Sequence, residues 1–183
     1  VIRPIERVLA EGQRIPIETP KLAGSINLVG ARVDDITLTK YRQTIQKNSP
    51  PVRLFAPAGT KAAYFASPVW SAQGVAVPGP TTVWTATGTK LTPTTPVTLS
   101  WNNGAGQSFR IEYSIDNDYL ITAKQTVANT AAAPVSVRSG AYVDRTGIPT
   151  DPHEQDSWTI HVGPTGYLDG KSNFTDYKEV KEA

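Results

Sequence analysis

Residues 97–115, VTLSWNNGAGQSFRIEYSI, decide the fold class. Val97, Leu99 and Trp101 fall on one face of an extended chain, and Asn103-Gly104-Ala105-Gly106 supplies the residues that a tight reversal requires. Phe109, Ile111, Tyr113 and Ile115 then alternate with Ser108, Arg110, Glu112 and Ser114, the period of two that half-buries a strand. After Asp116-Asn117-Asp118 a further alternating run begins at Tyr119 and ends at Val127. Read with a three-residue loop, it sets Tyr119 opposite Ile115, Ile121 opposite Tyr113 and Ala123 opposite Ile111, so that every odd position faces the core. Phe109, Ile111, Tyr113, Ile115, Tyr119, Ile121 and Val127 are the expected buried set. On the polar face Arg110 lies opposite Lys124, with Glu112 diagonal to it. Val135, Val137, Ala141 and Val143 alternate with Ser136, Arg138, Gly140 and Tyr142, and extend the meander to Val143.

The rest of the chain has the same grain. Its 183 residues are enough to bury about 70% of the unfolded surface in one domain. The 14 glycines and 15 prolines punctuate short runs rich in Val, Thr, Ile and Tyr, which reads as an all-β sandwich of antiparallel strands with little helix. The 18 basic and 16 acidic residues are interspersed, so no basic stripe for nucleic acid exists. Cysteine is absent, which excludes a disulfide framework and a thiolate metal site, and no apolar run reaches the length of a membrane span. Methionine is absent too, and Val1 reads as an internal position of a longer translation product.

Taken in order, residues 1–21 read as a linker and lead-in. They include a short helical pattern after Pro4 and an Ile15-Pro16-Ile17 segment suited to a sheet edge, because proline removes a ladder donor. Residues 22–183 read as the folded β domain. Strands are expected at Gly24–Val29, from Val33 to Tyr41, at Val52–Phe55 and at Ala63–Ala66, with an irregular stretch from Ser67 to Thr95. The adjacent Asp34 and Asp35 mark a structural turn, since strand neighbours point to opposite faces and no histidine or further acid nearby completes a ligand set. Trp70 and Trp84 sit among Pro and Gly residues, as anchors of a long loop or as a sugar-stacking platform.

Chemistry-bearing clusters are few. His153 and His161, the two histidines, lie before and within the run Trp158–Val162, at no recognised metal spacing. Neither a cofactor nor a metal is expected, and there are no candidate catalytic residues. Arg110, Glu112, Lys124, Arg138 and Tyr142 are the candidate binding residues, grouped on the polar face of the meander as a shallow groove for an extended peptide or a partner loop.

Several segments carry a resemblance. Leu22-Ala23-Gly24-Ser25-Ile26-Asn27-Leu28-Val29-Gly30-Ala31-Arg32-Val33-Asp34-Asp35-Ile36-Thr37-Leu38, Leu54-Phe55-Ala56-Pro57-Ala58-Gly59, Val77-Pro78-Gly79-Pro80 before Trp84, and Gly163-Pro164-Thr165-Gly166-Tyr167-Leu168-Asp169-Gly170 are colinear with one family. The chain resembles the periplasmic domain of the YidC-type bacterial membrane protein insertases, most closely those of alphaproteobacteria, while residues 138–158 depart from the pattern. The resemblance implies a β-supersandwich, similar in outline to sugar mutarotases, at the periplasmic face of the inner membrane between two membrane spans. It implies a non-enzymatic accessory module, with Sec translocon subunits and nascent membrane proteins as partners. It also implies that the coding sequence supplies a membrane segment before Val1 and several after Ala183. The alternative is a free-standing sugar-binding or aldose-mutarotase-like protein, which requires a carboxylate and a histidine at one sugar, and Glu112 with His161 is the available pair.

Overall fold

The computed structural model describes residues 2–147 and 161–182, in two compact units that divide after Thr146. The first unit is an all-β sandwich. Helix α1 (Ile5–Leu9) opens it and buries Val8. A six-stranded antiparallel sheet contains β1 (Arg14–Glu18), β2 (Leu22–Asn27), β3 (Arg32–Arg42), β4 (Pro51–Phe55), β5 (Tyr64–Ala72) and β10 (Val137–Arg145). Its order is β1-β2-β3-β5-β10, with β4 also paired to β3. A four-stranded sheet contains β6 (Thr85–Thr87), β7 (Val97–Asn102), β8 (Gln107–Ile115) and β9 (Ile121–Asn129) in that order. The second unit holds the hairpin β11 (Thr165–Leu168) and β12 (Lys171–Phe174), followed by α2 (Tyr177–Glu182).

Apolar side chains from both sheets meet in one core. Phe109, Ile111, Val97 and Leu99 of the smaller sheet are sealed from water, as are Ile17, Ile26 and Ile36 of the larger. Each comes from one face of an alternating strand, which is how a period of two becomes a layer. Residues 14–18, read above as lead-in, therefore supply an edge strand and two core side chains, Ile15 and Ile17. Trp70, within β5, and Trp84 are also inside, Trp70 with its ring edge-on to Phe109 at 5.2 Å between centroids, so they offer no exposed platform for a sugar.

Three expectations need correction. The β8–β9 pairing is displaced by two residues: Ile115 faces Ile121, Tyr113 faces Ala123 and Ile111 faces Gln125. The reversal has five residues because the Asp116 carboxylate accepts from the backbone N–H groups of both Asp118 (2.8 Å) and Leu120 (3.0 Å), an Asx-type turn that spends Tyr119 on the loop. The displaced register sets Glu112 directly opposite Lys124, in place of the like-charge pair Arg110–Lys124. Phe109, Ile111, Tyr113 and Ile115 are buried and Ile121 and Val127 half-buried, but Tyr119 is 44% exposed.

Second, β10 leaves the meander and pairs with β5 along its whole length, Val137 with Ala72 through Arg145 with Tyr64. The connection at 130–136 carries the chain from one sheet to the other. Correspondingly, β5 runs to Ala72, beyond the expected end at Ala66. Pro68 is tolerated there because β3 touches β5 only at Val33–Ala66, which leaves the β10 side to make the ladder.

Third, Asp34 and Asp35 lie within β3 at a register shift against β2, a bulge in place of a turn. Asp34 is 1% exposed and paired with Arg14, which also donates to Ser25 at 2.8 Å. Asp35 accepts from Arg53 and from the same Ser25 hydroxyl, which joins the two acids in one network. Burial pushes the Asp34 carboxyl above the ordinary carboxylate range, against the opposing pull of Arg14. The bulge also brings β3 onto β2 so closely that a Cβ at Gly24 would stand 1.8 Å from the Asp35 carbonyl oxygen, which explains a glycine in mid-strand.

Candidate functional site

The two sheets do not close along their whole length. Between them lies an apolar cleft of about 350 Å³. Its larger-sheet wall is built by Ile36 and Leu38 of β3, Leu54 and Phe55 of β4, Ala66, Ser67 and Pro68 of β5, and Ala141 of β10. Tyr113, Ile121, Ala123 and Gln125 form the opposite wall, with Tyr119 and Leu120 of the 116–120 loop at the rim. Leu54, Tyr119 and Leu120 are 43%, 44% and 65% exposed, so large apolar surface stands in water at the mouth.

Polar contacts frame this opening. At one end Lys21, in the β1–β2 turn, pairs with Asp118 and lies 5.2 Å from the Tyr119 ring centroid. The Tyr119 hydroxyl shares a hydrogen bond with Tyr41, which raises the Tyr119 pKa, and the bond to Asp118 raises that of Lys21. Further along β9 the Gln125 amide donates to the Gly140 carbonyl at 2.7 Å. Deep inside, the Tyr113 hydroxyl donates to the Ala31 carbonyl at 2.8 Å, and burial holds that phenol protonated.

The five candidate binding residues divide. Arg110, Glu112 and Lys124 share a shallow groove on the outer face of the smaller sheet with Ser100, Asn102 and Thr126. Arg138 and Tyr142 are not there, because β10 belongs to the other sheet. Arg138 lines a separate depression beside Ser71 and Gln73, and Tyr142 packs edge-on to Phe65 at 6.4 Å. The carboxylate and histidine of the mutarotase alternative are placed in different units. Glu112 stands on the outer face of β8 in a unit without histidine, and His161 pairs with Asp176 at 3.2 Å in the second. His153 lies outside the described residues.

The family model described as the YidC periplasmic domain matches residues 14–183. The chain belongs to that family. The membrane protein insertase YidC of Zymomonas mobilis is 42% identical over the whole chain, which covers 31% of that relative. Those of Acidiphilium cryptum and Rhizobium etli are 45% and 44% identical over 93% and 90% of the chain, which cover 28% and 27% of them. The chain thus spans less than a third of the relatives it matches, and it is an insertase-associated domain. Among its described residues no helix is long and apolar enough to cross a membrane.

The residues that make the cleft share no pattern along any one strand. One signal was present. Tyr119 and Leu120 are successive large apolar residues, and successive side chains on a strand cannot both face the core.

Proposed function

We propose that this chain is the periplasmic accessory domain of an inner-membrane insertase, and that its inter-sheet cleft holds apolar segments of nascent membrane proteins. The carrying observation is the combination of an apolar cleft with exposed Leu54, Tyr119 and Leu120 at its mouth. The occupant follows from the relatives, whose cargo by name is membrane protein. The domain acts by binding and catalyses no reaction. Two or three apolar side chains, at roughly 1.5–3 kcal/mol each less the cost of ordering them, give weak affinity, roughly millimolar at best. Such weak binding suits a segment that must be held and then released.

The polar groove of Arg110, Glu112 and Lys124 serves a second contact. Arg110 forms no ion pair among the described residues and faces Ser100 and Thr126 across the sheet, so the groove carries an unneutralised cation. It is assigned to docking of a Sec translocon loop that carries an acidic residue. Arg138 and Tyr142 belong to a separate contact on β10.

Filling the cleft tests the first assignment. Ala123→Trp places a large ring on the cleft wall from a position that is already exposed, and is expected to leave thermal unfolding nearly unchanged. Binding of a fluorescent apolar peptide should weaken at least about tenfold, the loss of one buried apolar side chain. Lys124→Ala, on the opposite face, should bind as the parent does. Equal peptide binding by all three proteins would refute the cleft as the site.

A further inference from the structure

We infer that the loop joining β3 to β4 docks on an anionic lipid bilayer, with Ile45 entering the hydrocarbon and Lys40, Arg42 and Lys47 meeting the lipid phosphates. This stands on the loop itself and does not depend on what the cleft holds. Residues 40–48 are all exposed, and Ile45 is completely so, more than any other large apolar side chain among the described residues. The loop is not slack chain that could fold this side chain away. Its buried Ser49 hydroxyl accepts from the Thr44 N–H at 2.8 Å. The Gln43 N–H donates to the Pro50 carbonyl and the Ser49 N–H to the Gln46 carbonyl, each at 3.0 Å. The Arg42 guanidinium and the Gln43 amide add bonds to the carbonyls of Ser49 and Pro51. Ile45 takes part in none of these bonds. Turns favour Asn, Asp, Ser and Gly, so nothing in the loop's own structure calls for a β-branched apolar residue in water.

Charge selects the partner. No acidic residue occurs between Asp35 and Glu112 in the sequence. Lys40, Arg42 and Lys47 form no ion pair among the described residues. Asp118, the acid beside Tyr119 and so near Tyr41, is taken by Lys21. An apolar residue with cations on both sides matches the layering of an anionic bilayer, where hydrocarbon lies beneath a sheet of phosphates that long basic side chains can reach. Tyr41, exposed at the end of β3, supplies the amphipathic ring that such an interface accommodates. A protein partner requires a socket shaped for one isoleucine, whereas a bilayer takes it without one. Because the Tyr41 hydroxyl is bonded to Tyr119 at the cleft rim, docking holds the mouth beside the membrane surface.

The test follows co-sedimentation of the 183-residue chain with vesicles of phosphatidylcholine, alone or with about a third phosphatidylglycerol. The parent should partition at least about tenfold more strongly onto the anionic vesicles. Ile45→Ser should weaken that partition about tenfold, and Lys40→Ala with Lys47→Ala about twentyfold. Thermal unfolding should be unchanged in both, since all three side chains are exposed. The chain has no cysteine, so a polarity-sensitive dye on Ile45→Cys reports on the loop alone. Its emission should shift to the blue on anionic vesicles, and that of the same dye on Ser114→Cys, on the outer face of β8, should not. Equal partition of the parent onto both kinds of vesicle overturns the proposal, as does parent-level partition by Ile45→Ser or a dye at position 45 that stays in water. Absence of any partition by the parent also overturns it, and leaves the loop to an acidic protein partner.

Discussion

The Ile111→Asp protein is expected to be insoluble, or soluble without a cooperative unfolding transition. Ile111 is fully buried at the centre of β8, between Leu99 on β7 and Gln125 on β9. Substitution removes a core side chain, at about 2–5 kcal/mol, and places a carboxylate with no cationic partner in the same space, at several kcal/mol more, roughly. Together these approach the roughly 5–15 kcal/mol that separates a typical domain from its unfolded chain. Ser114→Asp on the same strand points to the outer face and should change stability by less than about 0.5 kcal/mol. Denaturant unfolding followed by tryptophan fluorescence distinguishes the two, and a stable, cooperatively folding Ile111→Asp protein would contradict the observed face assignment.

Loss of Asp34 should be the other large effect. Asp34→Ala leaves Arg14, itself 10% exposed along its side chain, as an unpaired cation inside the sandwich. Breaking a buried pair from one side costs about 3–5 kcal/mol. Asp35→Ala should cost less, because its partner Arg53 is 31% exposed and can rehydrate. The double variant Arg14→Met with Asp34→Leu should recover most of the loss, since an apolar pair of similar volume avoids desolvating two charges. Equal destabilisation by Asp34→Ala and Asp35→Ala in urea unfolding would show that the Arg14 pair has no special weight.

These residues also show why some of the structure was readable in advance. The burial of Phe109, Ile111, Tyr113 and Ile115 follows from alternation alone, because it depends on the parity of a position and on nothing else. Register is harder, since a displacement of two residues keeps every side chain on its face, and only the Asx-type turn at Asp116 selects the observed pairing. The path of β10 has no local signature. Val137 and Ala141 alternate equally well beside β9 or β5, and a seven-residue connection reaches either. For that reason alternation alone groups Arg138 and Tyr142 with Arg110, Glu112 and Lys124, from which they lie apart. The cleft is less legible still. Its walls come from seven strands and one loop, and Leu54, Pro68 and Ala123 become neighbours only after the sheets pack. Family likeness, by contrast, was carried by local segments such as residues 22–38, and it survives without any knowledge of packing.

Site-specific photocrosslinking in the intact insertase in living cells tests the cleft most directly. A photoreactive residue at Leu120 or Ala123, on the cleft, should capture nascent membrane proteins, and the Ala123→Trp substitution should abolish capture from Leu120. The same residue at Arg110 or Lys124, on the outer groove, should capture a Sec subunit and not the nascent chain. Nascent chains captured from the outer groove and not from the cleft would contradict the account.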